Sequence, residues 1–253
     1  MAGHSKWANR VHRKNRQDAK RSSAFSKLSR MISVAAREGG GDPDMNPTLR
    51  TYIDKAKEAE MPKDNIERAI KMGTGDLEGV TYESGLYEGY GPAGVALMVS
   101  VLTDNSQRTV AEIRNIFKDH GGNLGVAGCV QWMFESKGVI VVPRDQADFD
   151  EVFMIAVEAG AEDVVEDEEE NTIEVHTDPK QFSAVYGALR ETGMPTERAE
   201  VTMIPTATNP VSDQDAPKVI RLLDGLNDHE DVQQVHSNFE ISDEALDALE
   251  AAS

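Results

Sequence analysis

Residues 23–41 read SAFSKLSRMISVAAREGGG, and this spacing predicts an amphipathic helix that ends at the glycines. The apolar side chains share a 3-4-3 spacing and are Phe25, Leu28, Ile32 and Ala35. Lys27, Arg30 and Arg37 repeat that spacing two positions later, which is about 200° around a helix. We therefore expect an exposed basic stripe nearly opposite the apolar one.

Two further helices follow this one. A cap residue and a proline, Asn46-Pro47, begin the second helix, which stops near Met61. Pro62 opens the third helix, and Gly73 closes it. Three short helices with facing apolar stripes predict a small bundle, of which residues 23–73 are the packed part.

After the bundle, short strands alternate with helices. Residues 136–204 follow the β-α-β-β-α-β order of a ferredoxin-like unit. Residues 86–135, with a last strand expected near Val130–Phe134, and residues 214–238 are each too small to bury their own faces. The economical solution is that 214–238 completes the sheet begun by 86–135, which makes 136–204 an insertion. Two sequential domains are the alternative.

The predicted fold class is therefore α+β, with an N-terminal three-helix bundle followed by two α+β (ferredoxin-like) domains, one inserted in the other. The predicted domains are a basic helical domain with an N-terminal arm (1–75), an α+β domain (80–135 plus 205–241) and the inserted ferredoxin-like domain (136–204). An acidic run at 166–170 is expected at a hairpin of the insertion, and residues 242–253 form an acidic tail.

Charge is segregated along the chain. The 253 residues carry a net charge of −19, which alone argues against a nucleic-acid binder. Residues 1–37, however, contain ten Lys or Arg and one acid, a net charge of +9. Residues 1–75 together carry +7, and the remainder carries −26. Such asymmetry points to a polyanion bound at one end of the molecule.

Phosphates neutralised by Lys and Arg release counterions, which gives salt-sensitive affinity. The predicted nucleic-acid-binding residues are Lys6, Trp7, Arg10, Arg13, Lys14, Arg16, Lys20, Arg21, Lys27, Arg30 and Arg37. The alternative is internal pairing of these cations with the acidic remainder, which would be autoinhibitory. Trp7 either stacks on an unpaired base or anchors the arm to the bundle. No base-reading motif is present, so backbone or shape recognition is favoured.

The sequence contains no motif that indicates a catalytic site. The single cysteine, Cys129, excludes an intramolecular disulfide and a thiolate zinc site, and the six histidines lack metal-ligand spacing. Residues 89–94 are Gly-rich but lack the Lys-Ser/Thr ending of a P-loop. We predict no catalytic residue, no metal, no cofactor and no small-molecule substrate, and a nuclease is disfavoured. No apolar run or signal peptide indicates a membrane, so a cytoplasmic location is expected.

Several motifs carry a family resemblance. They are MAGHSKW (1–7), MPKDNIERAI (61–70), YEGYGP (87–92) and GGNLG (121–125). In this order, and with the domain arrangement above, the chain resembles the YebC family over essentially its whole length. The resemblance implies a helical bundle and two α+β domains, one interrupting the other. The absence of a leader before MAGHSKW favours the bacterial, cytosolic type.

The resemblance leaves the nucleic acid open, because bacterial members are commonly called probable transcriptional regulators and other members are translational activators. The leading prediction is a non-enzymatic regulator of gene expression that binds DNA through its basic N-terminal domain. The alternatives are a translation factor bound to the ribosome or its structured RNA, and an adaptor whose basic domain holds an acidic protein. A monomer is favoured.

Overall fold

The structure is a computed structural model that describes part of the chain. The described residues are 21–77, 81–168 and 171–242. The predicted arm (1–20), the end of the acidic run (169–170) and the tail from residue 243 lie outside them. Helices and antiparallel sheets alternate along the described chain, which confirms the α+β class.

The described residues fall into two compact units. Unit one contains residues 21–131 and 209–242, and unit two contains residues 132–208. Unit one therefore holds the helical bundle together with a sheet built from residues on both sides of unit two in the chain. The boundaries of the three predicted domains stay a prediction. None of the described helices combines the length and the hydropathy that crossing a bilayer requires.

Three helices form the bundle. They are α1 (Arg21–Gly39), α2 (Pro47–Glu58) and α3 (Lys63–Thr74). Asn46 caps α2 as expected, because its Oδ1 accepts the Leu49 N–H at 3.0 Å. The Asn46 Nδ2 donates to the Ala35 carbonyl at 2.8 Å, which fixes the turn between α1 and α2. The core contains Ile32, Ala35, Leu49, Ile53, Ala56, Ile66 and Ala69.

Helices α1 and α3 approach each other closely. The hydroxyl of Ser33 donates to the Ala69 carbonyl at 2.7 Å, across the point where the helices meet. Gly73 lies at the same contact, where a Cβ would overlap the Ser33 carbonyl oxygen and lie 2.8 Å from the Cβ of Ala36. The small residues therefore set the distance between the two helices.

The sheet part of unit one contains β1 (Glu83–Tyr90), β2 (Ala96–Thr103), α4 (Ser106–Asp119), β3 (Asn123–Leu124), α7 (Ala216–Asp228) and β9 (Val232–Ser237). Its strands lie in the order β3-β1-β2-β9, and the sheet is antiparallel throughout. Buried residues of β2, α4, α7 and β9 form one apolar cluster. Two further short strands, β8 (Asn209–Pro210) and β10 (Phe239–Glu240), form a separate parallel pair.

The strand expected near Val130–Phe134 is wrong. Residues Gln131–Met133 form a 3-10 turn, and Phe134 begins a strand of unit two. The backbone N–H groups of Val130 and Gln131 donate to the Glu88 carboxylate and are not available to a strand. The edge position in the sheet belongs to β3.

Unit two has the predicted β-α-β-β-α-β order. Its elements are β4 (Phe134–Pro143), α5 (Phe149–Glu158), β5 (Asp163–Asp167), β6 (Thr172–Thr177), α6 (Phe182–Glu191) and β7 (Arg198–Pro205). The antiparallel order β5-β6-β4-β7 is that of a ferredoxin-like sheet, and α5 and α6 pack on it around Ile140, Val175 and Val185. The acidic run begins inside β5, where Glu166 pairs with Arg144.

We predict that Gly73→Ala destabilises the bundle by roughly 2 kcal/mol, because the added methyl group forces α1 and α3 apart. Gly187→Ala is the matched control. Gly187 also lies inside a helix, but nothing is within 4 Å of its Cβ position, so alanine there should stabilise by about 0.5–1 kcal/mol. Chemical denaturation measures both, and equal effects of the two substitutions would contradict the close contact.

Candidate nucleic-acid interface

The structure describes only part of the predicted basic surface. The predicted residues that lie outside the described chain are Lys6, Trp7, Arg10, Arg13, Lys14, Arg16 and Lys20. Arg21 is the first residue of α1. The geometry of the candidate interface is therefore given by the three remaining cations, Lys27, Arg30 and Arg37, which share one side of α1.

The basic stripe lies opposite the bundle core, as its spacing predicts. Ile32 and Ala36 are buried against the other two helices, whereas Arg37 is exposed. Lys27 and Arg30 are partly buried, because the first half of the stripe faces the sheet part of unit one. The stripe thus has a covered half and an open half.

Arg30 is held by the C-terminal part of the chain. Its Nη1 donates to Asp231 Oδ1 at 2.7 Å and to the Glu230 carbonyl at 2.7 Å. Its guanidinium carbon also lies 5.4 Å from the centre of the Tyr82 ring. Only 14% of the Arg30 side chain is exposed. The expectation of an exposed row of cations is therefore wrong at this position, because the sequence does not reveal the buried carboxylate opposite.

Lys27 contacts the same region. Its Nζ donates to the carbonyl of Asn227 at 2.7 Å. Asn227 lies in the last turn of α7, where carbonyl groups have no partner within the helix and the helix dipole is negative. A cation is well placed there, so Lys27 supports the contact made by Arg30.

Asp231 is the centre of this arrangement. Its side chain is 3% exposed, and its Oδ2 accepts hydrogen bonds from Arg108 at 2.8 Å and from Thr109 at 2.7 Å. The hydroxyl of Thr103 donates to the same oxygen at 3.2 Å. Burial by itself raises the pKa of Asp231, but the hydrogen bonds from Arg108 and Thr109 and the charge of Arg30 bring that pKa below its ordinary value. The carboxylate is therefore ionised at neutral pH.

Glu112, His229 and Asp231 offer three donor atoms within 4.8 Å of one another, as a metal site would. His229 Nδ1 accepts the Asp231 backbone N–H at 3.1 Å, so the ring proton lies on Nε2, 2.9 Å from Glu112 Oε2. Asp231 already faces two arginines. These donors are used by hydrogen bonds and surrounded by cations, so we assign the group to the ion-pair network.

Three cations of the bundle remain open. Arg37, Arg68 and Lys71 are exposed, and the cationic group of none of them has a hydrogen bond or ion pair within the part of the chain that the structure describes. Arg68 and Lys71 are three residues apart on α3 and share its outer face. This pair is not among the residues predicted from the sequence, although its spacing relative to the buried Ile66 and Ala69 indicates an exposed position.

A second buried carboxylate organises the loop that leads out of the sheet. Glu88 is 4% exposed and accepts backbone N–H groups from Gly128 at 2.6 Å, Val130 at 2.8 Å and Gln131 at 2.8 Å. Burial raises the pKa of Glu88, but the three N–H groups together lower it by more, so the pKa of the carboxyl lies below its ordinary value. Burial and the Glu88 charge raise the pKa of Cys129, which disfavours a reactive thiolate.

The bundle, the sheet of unit one and the ferredoxin-like unit define an α+β protein whose excess positive charge lies in its N-terminal segment. The TACO1/YebC protein N-terminal domain matches residues 5–76, and the TACO1/YebC second and third domain matches residues 82–239. The chain belongs to the TACO1/YebC family, which confirms the resemblance seen in its motifs.

Similar proteins cover the whole chain. A probable transcriptional regulatory protein of Persephonella marina is 56% identical over 98% of this chain and 100% of its own length. A protein of Halothermothrix orenii with the same description is 54% identical over 98% of this chain and 99% of its own. The crystal structure of a conserved hypothetical protein from Aquifex aeolicus is 48% identical and has a TM-score of 0.81 over 89% of this chain and 93% of that one.

We predict that Glu88→Gln destabilises the protein by roughly 2–3 kcal/mol at neutral pH, because an amide cannot accept all three loop N–H groups. The lowered pKa means that the native carboxylate stabilises above pH 4.5, its ordinary pKa, and loses this effect as pH falls through the folded value. The difference between the two proteins in chemical denaturation should therefore narrow below about pH 4.5.

Glu83→Gln is the control for this substitution, because Glu83 is exposed on the same strand. It should change the free energy of unfolding by less than about 0.5 kcal/mol at either pH. A Glu88 variant as stable as the Glu83 variant would contradict the role given to the buried carboxylate.

Proposed function

We propose that this chain is a regulator of gene expression that binds nucleic acid through its basic N-terminal segment and catalyses no reaction. Relatives that match over their full length are described as probable transcriptional regulatory proteins, which supports the class of regulator. The binding of nucleic acid is the further step, and it is argued from charge and geometry.

One observation carries the proposal. Ten cations and one acid lie in residues 1–37, and the last of these cations, Arg37, is exposed without a partner among the described residues. Rows of Lys and Arg that face solvent bind phosphates and release counterions. Residues 76–253, which carry −26, repel a polyanion from the remaining surface. Together these charges confine contact to one end of the molecule.

The proposed contacts divide into two groups. The residues proposed to meet phosphates are Lys6, Arg10, Arg13, Lys14, Arg16, Lys20, Arg21 and Arg37. Trp7 is proposed to stack on a base or to anchor the arm. Lys27 and Arg30 are proposed to hold α1 in place and not to contact phosphate, because their cationic groups already contact carbonyl and carboxylate oxygens of the same chain. Arg68 and Lys71 extend the open surface on α3.

DNA is the proposed partner, in line with the description of the relatives. The second candidate is ribosomal RNA, and the large negative charge of the remainder favours it, because an acidic body limits contact along a uniform duplex. Either way, phosphate contacts should dominate, since they position a protein without reading bases. A cytoplasmic location and a monomeric state stay predictions.

We predict that Arg37→Gln weakens binding and lowers the slope of log affinity against log salt by about 0.9, because one phosphate contact is lost. Fluorescence anisotropy of a labelled DNA duplex and a labelled ribosomal RNA fragment, each titrated between about 50 and 200 mM salt, measures this. Tighter binding to one of the two probes identifies the nucleic acid.

Arg221→Gln is the matched control. Arg221 is an exposed arginine of α7 that also lacks a partner among the described residues, but it belongs to the acidic part of the chain. Its loss removes the same charge and should leave the slope unchanged. Equal slopes for the two variants would show that Arg37 does not contact phosphate.

A stronger change tests the arm. Reversing Arg13, Lys14 and Arg16 to Glu should reduce affinity for both probes by at least tenfold at low salt and flatten the salt dependence. Thermal unfolding should not change, because the three residues precede the bundle core. Nuclease treatment of a pull-down checks the adaptor alternative, since partners that stay bound after digestion are held by protein and would overturn the proposal.

A further inference from the structure

We propose that Asp231 is a positioning residue, which fixes the direction of α1 and thereby the direction in which its open basic end is presented. The inference concerns unit one only, where the bundle and the sheet meet. Its consequence for binding rests on the proposed function, but the contact itself does not.

The receptor for α1 is held in place by contacts that do not involve α1. Oδ2 of Asp231 is held by Arg108, Thr109 and Thr103, which belong to β2 and α4 of the sheet part. The hydroxyl oxygens of Thr103 and Thr109 lie 2.7 Å apart, beside the same carboxylate oxygen. The other oxygen, Oδ1, accepts from Arg30. One oxygen therefore orients the carboxylate, and the other is offered to the helix.

Backbone carbonyl groups complete the receptor. Arg30 reaches the carbonyl of Glu230 at 2.7 Å, and Lys27 reaches that of Asn227 at 2.7 Å. These carbonyl groups lie at and just after the C-terminal end of α7, where lone pairs and the helix dipole favour a cation. Two cations three residues apart on α1 thus meet two acceptors three residues apart, one in the last turn of α7 and one just after its end. This pairing fixes the rotation of α1 as well as its position.

The receptor selects arginine over lysine at position 30. One guanidinium donates to both the Asp231 carboxylate and the Glu230 carbonyl, and its planar group lies 5.4 Å from the Tyr82 ring. A lysine ammonium carries the same charge but is compact and does not stack in this way. The positive charge alone is therefore insufficient for the contact.

The position of Arg30 on α1 determines the direction in which Arg37, at the exposed end of the basic stripe, points. Arg37 lies seven residues after Arg30, which is about 10 Å along the helix and within about 20° of the same direction. The surface of α1 that meets Asp231 is therefore continuous with the surface that Arg37 presents to solvent. A phosphate would have to displace Asp231 to reach Arg30, whose side chain is 14% exposed.

The test separates position from phosphate contact. Nitroxide labels on Glu58→Cys in α2 and Arg114→Cys in α4, in a Cys129→Ser background, report the distance between the bundle and the sheet part by pulsed electron paramagnetic resonance. The unaltered receptor should give one narrow distance distribution. Arg30→Gln, Arg30→Lys and Asp231→Asn should each broaden it, whereas Arg221→Gln and Asp119→Asn, at exposed positions, should not.

The salt dependence of binding gives the second readout. Arg30→Gln should weaken binding with an unchanged slope, because the number of phosphates contacted stays the same, whereas Arg37→Gln loses about 0.9 from the slope. A narrow distance distribution in both Arg30 variants would overturn the positioning role. A slope lowered at Arg30 as much as at Arg37 would also overturn it, since Arg30 would then contact phosphate.

The two proposals fail separately. If no nucleic acid binds, the distance measurement still reports whether Asp231 positions α1. Because Asp231→Asn leaves two arginines without their full partner and can unfold the protein, the Arg30 variants carry the test, and circular dichroism verifies that each variant is folded. Arg30→Lys keeps the charge, so broadening in that variant supports the arginine geometry, and a wild-type distribution contradicts it.

Discussion

The carboxylate of Asp231 lies between Arg30, which is 201 residues earlier in the chain, and Arg108 on the neighbouring helix. A buried charge is tolerated only where ion pairs and hydrogen bonds replace water, and here two arginines and two threonines do so. The position of α1, the end of α7 and the start of β9 all depend on this one group. The orientation of the basic helix α1 is consequently determined by a carboxylate from the acidic part of the chain.

A related constraint governs the point at which the chain leaves the first sheet. Glu88 gathers three loop N–H groups at residues 128–131, immediately before unit two begins. Within unit two, the Thr206 N–H donates to the Met133 carbonyl at 2.9 Å, so the two ends of the inserted segment are adjacent. Adjacent ends are what allow one domain to interrupt another without distorting it. In both places a buried, ionised carboxylate binds N–H groups of residues that are far from it in the sequence.

Sequence alone could predict elements whose signals are local. The Asn46-Pro47 cap and the strand-helix order of unit two follow from spacing and turn chemistry. Gly73, which the sequence predicts to close α3, instead lies buried inside that helix, and Gly75 is its left-handed C-cap. The strand expected near residue 130 failed because Glu88, 42 residues earlier, binds its N–H group. Arg30 was placed on the correct side of its helix, but helical spacing gives a direction and not the partner found there. The partners of long-range ion pairs therefore cannot be predicted from the periodicity of the sequence.

The distance in sequence between Arg30 and Asp231 also has a consequence in time. A ribosome adds roughly 5–20 residues per second. The partners are 201 positions apart, so Asp231 is added roughly 10–40 s after Arg30, and during that interval the cations of α1 are without their acidic counterpart. During synthesis, Lys27 and Arg30 are as open as Arg37. The unfinished chain is thus more cationic, and more adhesive toward any polyanion near the exit tunnel, than the finished protein.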